Sequence, residues 1–138
     1  MPCNLYGRYD SVDLQTADVI PALIHKIHEA KLAAAPAVML CGTGALLRKF
    51  LFVDDLADRL VFLLQHHRAP EMVNIGSGEE VEIVDLAALI AKTAGYGGKF
   101  VFDSSKPDDA PRKLLDSSRL SAMGWQAGTP LAMGLQIA

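Results

Sequence analysis

Apolar residues recur along this chain with two different periods, and the switches between them lay out an alternation of strands and helices. Residues 1–6 form a short apolar run ending at Gly7, which reads as a strand, and the polar stretch 7–16 reads as a loop. Over 18–35 the period becomes helical, because Ile20, Leu23, Ile24 and Ile27 fall on one face while His25, Lys26, His28 and Glu29 lie largely off it. Thr16 or Asp18 is placed to cap this helix, Pro21 fits its first turn, and Pro36 marks its end. Strands are predicted over 37–41 and 49–53, separated by a Gly-Thr-Gly turn at 42–44. Asp54 is a favourable N-cap for the next helix, whose apolar face is read as Leu56, Leu60, Leu63 and Leu64. A strand at 72–75 closes on Gly-Ser-Gly, and a helix at 84–94 turns Leu86, Leu89 and Ile90 inward and stops at Gly95. A strand at 99–102 leads into the polar loop 103–113. Asp116 then caps a short helix ending at Gly124, and Thr129 and Pro130 open a last helix.

This order predicts an α/β fold, and residues 1–138 read as a single domain without internal repeats. Both ends read as cut, since a strand starts at residue 1 and a helix begins close to residue 138. A composition that is 51% hydrophobic and 21% charged supports a folded core. The formal net charge of -3 argues against nucleic acid or an anionic membrane as a whole-surface partner, so any anion site must be a local cluster of Lys and Arg. Two cysteines, Cys3 and Cys41, make no disulfide framework. No apolar run approaches the roughly 20 residues of a membrane span, and the first residues do not form a signal peptide, so a cytoplasmic setting is expected. His25 and His28, and the pair His66 and His67, have no third ligand at metal spacing, and no metal site is expected.

The segments NLYG, DVIPALIHKIHEAK, GTGALLRKFLFVDDLAD, VNIGSGEEVEI, VFDSSKPDDAPRKLLD and RLSAMGW occur in an order that resembles the GDP-L-fucose synthases, extended short-chain dehydrogenases/reductases of the NAD-dependent epimerase/dehydratase family. The SKPD…PRKLLD run is the most specific piece. The resemblance implies the C-terminal, substrate-binding lobe of such an enzyme, without the N-terminal Rossmann half. The complete family member is implied to epimerise a GDP-4-keto-6-deoxy-D-mannose at C3 and C5 and to reduce it with NADPH. The sequence holds neither the Gly-rich turn between a strand and a helix nor any Tyr-x-x-x-Lys: Tyr6, Tyr9 and Tyr96 are followed four residues on by Asp10, Asp13 and Phe100. The cofactor is therefore expected to be NADP in the full-length family and none in this chain alone. Whether the chain is an enzyme in any form is left open.

The resemblance assigns nucleotide-sugar contacts to Lys26, Cys41, Arg48, Lys99, Arg112 and Lys113. It also assigns a remnant of the nicotinamide side to Pro2, Cys3, Asn4 and Leu5. Cations fit such contacts, because two phosphates must be neutralised and Arg does so with paired hydrogen bonds. Each cation could equally be a solvated surface charge. The family's catalytic His position holds Asp18, which reads as a helix N-terminal residue, so no catalytic residue is assigned. Cys41 stands where the family has Trp, Lys26 where it has Arg, Lys49 where it has Glu, and Asp109 where it has Gly. Three readings stay open, in order of preference. The chain is a GDP-sugar-binding portion silent by itself, an interaction module that forms a homo-oligomer through surface the other half would cover, or a half-enzyme needing a separate NADP-binding chain.

Overall fold

A computed structural model describes residues 1–105 and 115–138. The α/β expectation holds among these residues, with strands β1 (Asn4–Tyr6), β2 (Ala37–Cys41), β3 (Leu47–Arg48), β4 (Phe50–Phe52), β5 (Val81–Glu82) and β6 (Lys99–Asp103). The helices are α1 (Val19–Leu32), α2 (Val53–His66), α3 (Ile83–Ala94), α4 (Ser118–Ala122) and α5 (Leu131–Ile137). Within the stretch read as one domain, packing divides into two compact units that interleave along the chain. The first comprises Met1–Arg8, Lys49–Glu80 and Lys113–Ala138, and the second Tyr9–Arg48 and Val81–Arg112.

In the first unit β1 runs parallel to β4, with Asn4 opposite Phe50 and Tyr6 opposite Phe52. The other edge of β1 meets the segment 73–75, where Cys3 N–H donates to Ile75 O at 2.9 Å and Ile75 N–H to Met1 O at 2.8 Å. The strand expected at 72–75 is thus reduced to a single bridge, Pro2 to Ile75. Leu51, Val73, Ile75, Leu120 and Trp125 form the core, with Leu56 and Leu63 of α2 packed on it. Helix α2 starts two residues earlier than expected, with Phe52 at its N-cap, so Asp54 lies with Asp55 in its first turn rather than capping it. Asp55 instead accepts from the N–H and the hydroxyl of Thr129, both at 3.0 Å. Thr129 is therefore tied to α2 and does not cap α5, whose N-cap is Pro130. Asp116 acts one position before the assigned cap of α4, accepting from Ser118 N–H at 2.9 Å. The two hydrogen bonds from Ser118, backbone first, hold its carboxyl below the usual range.

The inward face of α2 is the main correction. Leu60 and Leu64 were expected inside, but they are 49% and 85% exposed, and the fully buried residue of the helix is Arg59. This helix carries apolar residues on two faces, and the ring of Trp125 draws in the face with the arginine.

Tyr6 is buried, edge-on to Phe52 with centroids 5.5 Å apart, and its ring lies against Gly134 of α5, where any Cβ would collide with it. Its hydroxyl is pushed up to about 12, first by burial and then by the Asp55 carboxylate. A raised folded-state value means that the unfolded chain ionises first as pH rises past the ordinary value of about 10. Stability is fully present below that value and falls by about 3 kcal/mol as pH climbs through the folded value. Alkaline unfolding followed by circular dichroism should show this decline, and Tyr6→Phe should flatten it.

In the second unit β2 and β6 are parallel, in a register from Ala37 opposite Lys99 to Cys41 opposite Asp103. Val38 and Leu40 are buried on one face, while Ala37, Met39 and Cys41 are exposed on the other. Helix α1 buries Ile20, Leu23, Ile27 and Ala30 and packs on α3 and β2. Gly95 ends α3 in the left-handed conformation, φ 70°, letting Tyr96 N–H reach back to Ala91 O at 2.9 Å. Lys31 of α1 donates to Ala94 O at 2.7 Å, placing a cation at the negative end of α3. The strand expected over 49–53 is observed as Phe50–Phe52 in the first unit, while Leu47 and Arg48, for which no strand was expected, pair antiparallel with β5 in this one.

Candidate functional site

The sequence-assigned contacts do not all meet. Lys26 is half-buried on α1 and lines an open pocket of about 340 Å³ with Leu14, His25, Glu29, Val38 and Met39. The walls are mostly apolar and the rim carries one cation and one carboxylate, an arrangement suited to a flat ring with a charged tail. Lys99 is exposed and stands in register beside Ala37, which also borders this pocket. Cys41 is exposed at the far end of β2, four residues on, or roughly 13 Å along the strand. Arg48 sits on the separate β3–β5 ladder, only 5% exposed, with Nη1 donating to Leu47 O at 2.8 Å. Arg112 and Lys113 lie outside the described residues, as do Asp108 and Asp109. Lys26 and Lys99 are thus brought to one end of the β2–β6 ladder, and Cys41 and Arg48 are not.

Asp18 occupies the N-cap position of α1 with no cap hydrogen bond from its side chain, while its carbonyl accepts from Ala22 N–H at 3.0 Å. That is the geometry of a helix start. Pro2, Cys3, Asn4 and Leu5 form paired strand in the first unit, not a loose end. Burial pushes the Cys3 thiol up, against the smaller lowering effects of backbone groups at Ser77 and Cys3 and of the Lys49 charge. Cys3 and Cys41 are both free thiols. Among the described residues no three His, Cys, Asp or Glu side chains cluster in a way that could hold a metal ion, and no helix is long and apolar enough to cross a membrane.

A nicotinamide dinucleotide needs a glycine turn that opens a helix, so that backbone N–H groups meet the pyrophosphate. Here the turn containing Gly42 and Gly44 leads into β3, and Gly76 and Gly78 lead into β5. The backbone N–H of Cys3 is already bonded to Ile75. Neither turn therefore offers a helix N-terminus to a pyrophosphate.

Sequence reasoning missed Leu14 and Glu29 of the pocket and the buried Arg59. Leu14 is an isolated apolar residue in a polar loop, with no periodicity to mark it. Arg59 had a usable signal, since it lies three residues after Leu56 and four before Leu63, in line with the core face.

The family model that matches, over residues 1–76, is that of the NAD dependent epimerase/dehydratase family. The chain is 52% identical over 135 residues to a probable GDP-L-fucose synthase 1 of Oryza sativa subsp. japonica, covering 98% of this chain and 41% of that protein. It is 42% identical over 144 residues to a GDP-L-fucose synthase of Escherichia coli (strain K12), covering 98% of this chain and 45% of that protein. Among solved structures, a GDP-L-fucose synthetase from Naegleria fowleri bound to NADP superposes with a TM-score of 0.91 at 26% identity, over 98% of this chain and 43% of that one. The chain thus spans less than half the length of these relatives. With a matching family model over more than half of its residues and an α/β fold shared with solved reductases, the chain belongs to the NAD dependent epimerase/dehydratase family, where its similar relatives are GDP-L-fucose synthases.

Proposed function

We infer that the chain is a GDP-sugar-binding portion of a GDP-L-fucose synthase-like protein and transfers no hydride by itself. The observation that carries this is the Lys26 pocket, an open apolar depression on α1 and β2 whose rim holds Lys26 and Glu29, in a chain whose glycine turns do not open a helix. The names of the relatives supply the ligand class. Lys26 meets phosphate as a point charge, and Lys99 adds a second positive charge beside Ala37. The apolar side chains of Leu14, Val38 and Met39 take the flat part of the ligand. No residue in the pocket is assigned a proton transfer. Asp18 as a helix start leaves the epimerising base to be supplied elsewhere.

Glu29 lines the same pocket and partly offsets the charge of Lys26, which sets the expected effect of the lysine at about tenfold rather than a hundredfold. Lys26→Ala should therefore raise the dissociation constant for GDP about tenfold in calorimetric titrations. Lys92→Ala, on the exposed side of α3, should leave it unchanged. Equal affinity in the parent and Lys26→Ala proteins would remove the pocket from the reading.

A further inference from the structure

We propose that Glu29 selects the base in the Lys26 pocket, its carboxylate accepting from N1–H and the N2 amino group of a guanine ring. This rests on the reading of the pocket as a nucleotide-sugar site, and goes beyond it by assigning the residue that tells one base from another. Glu29 and Lys26 both line the pocket, about one turn apart on α1. A carboxylate there weakens a site that holds only a diphosphate, because it repels the anion that Lys26 attracts. It contributes to binding only by making a bond of its own with the ligand. No ion pair or hydrogen bond occupies the exposed Glu29 carboxylate among the described residues, so both oxygens face the opening.

An ionised carboxylate accepts through two oxygens and donates nothing, so the base that fits it must offer two donors on one edge. Guanine does so, at N1–H and the N2 amino group, and the two charge-assisted bonds run side by side. Adenine and cytosine each set an amino donor beside a ring-nitrogen acceptor. Uracil sets its single N–H between two carbonyls, which a carboxylate repels. The order of the two charges along α1 then orients the ligand. The helix runs from Val19 to Leu32, so Lys26 lies on the N-terminal side of Glu29. A base at Glu29 and a diphosphate at Lys26 set the anion towards the N-terminal side, the favourable sense of the helix dipole, and away from the carboxylate. A volume of about 340 Å³ takes a base and its ribose, with Leu14 and Val38 as apolar walls and the polarizable sulfur of Met39 suited to a ring.

Calorimetric titration of the 138-residue chain with GDP, inosine diphosphate and ADP tests this. The base of inosine diphosphate differs from guanine only in lacking the N2 amino group. It should bind about tenfold more weakly than GDP, and ADP about a hundredfold more weakly, as one and then both bonds to an exposed carboxylate are lost. Glu29→Gln should weaken GDP about tenfold although it relieves the repulsion of the diphosphate. The same variant should bind ADP more tightly than the parent does, because a glutamine amide matches the donor–acceptor edge of adenine. Glutamine keeps the helix propensity of glutamate at this exposed position, so folding is not at issue. Lys26→Ala should weaken GDP and inosine diphosphate alike and preserve their ratio. Equal affinity for GDP and inosine diphosphate, or a rise in all three affinities with Glu29→Gln, would overturn the role of Glu29 and leave the pocket as a nucleotide site. No heat with any of the three would overturn both.

Discussion

Replacing Gly44 with alanine is expected to destabilise the protein by about 2–5 kcal/mol, the sum of a backbone and a packing effect. Gly44 is buried in the turn after β2 with φ at +79°, in the left-handed region where a Cβ is unfavourable by about 1–2 kcal/mol. A Cβ there would also run into the ring of Phe102. Phe102 has little freedom to yield, because its strand is in register with β2 at Leu40. The turn cannot swing away either, since Gly44 O accepts from Val84 N–H at 3.0 Å and Gly42 N–H donates to Asp103 O at 3.0 Å. Gly78 separates the two effects. Its φ is +85°, but a Cβ there meets nothing within 4 Å, so Gly78→Ala should cost only about 1 kcal/mol. Urea unfolding of the two variants measures the difference, and equal losses would show that Phe102 gives way.

Arg59→Met is expected to stabilise the protein by about 1–4 kcal/mol, the range for replacing a buried ionic group with an apolar one of similar volume. The guanidinium is 0% exposed, and its Nε and Nη1 have no hydrogen-bond partner among the described residues. Nη2 reaches only the sulfur of Met123, at 4.0 Å. What favours the cation is its position 4.3 Å from the centroid of the Phe62 ring and 5.0 Å from that of Trp125. Two desolvated cation–π contacts contribute about 2 kcal/mol each at most. Opposing them are the loss of hydration of a full charge, several kcal/mol, and two orphaned donors at about 1–3 kcal/mol each. Desolvation wins this comparison. The direction of the Arg59 pKa agrees, since burial lowers it more than the neighbouring Asp58 raises it. Arg59→Ala is the contrast, because it removes the charge and also leaves a cavity beside Trp125, and it should not stabilise. A lower unfolding midpoint for Arg59→Met would mean that the aromatic sandwich outweighs the charge.

The sequence was most legible where one period ran long enough to dominate. The stripe of Ile20, Leu23 and Ile27 located α1, Gly95 marked the end of α3, and the short apolar run AVMLC before the Gly-Thr-Gly turn located β2. It was least legible where ladders are two residues long. Nothing in Leu47–Arg48 or Val81–Glu82 signals pairing, because that pairing depends on partners more than 30 residues away. The face of α2 was misjudged because hydrophobicity alone cannot choose between two apolar stripes, and burying an arginine against Trp125 is decided by tertiary contact. The candidate site divides in the same way. Lys26 and Lys99 could be named from the chain, but only the β2–β6 register shows that Lys99 stands beside Ala37 while Cys41 is four residues off.

Direct titration of the purified 138-residue chain with GDP and with NADPH, in parallel calorimetric runs, reaches the main claim. Saturable heat with GDP and none with NADPH is the predicted result, matching an apolar pocket with Lys26 on its rim and glycine turns that open onto strands. Tight NADPH binding, or oxidation of NADPH by this chain alone in the presence of the keto-sugar, would contradict it.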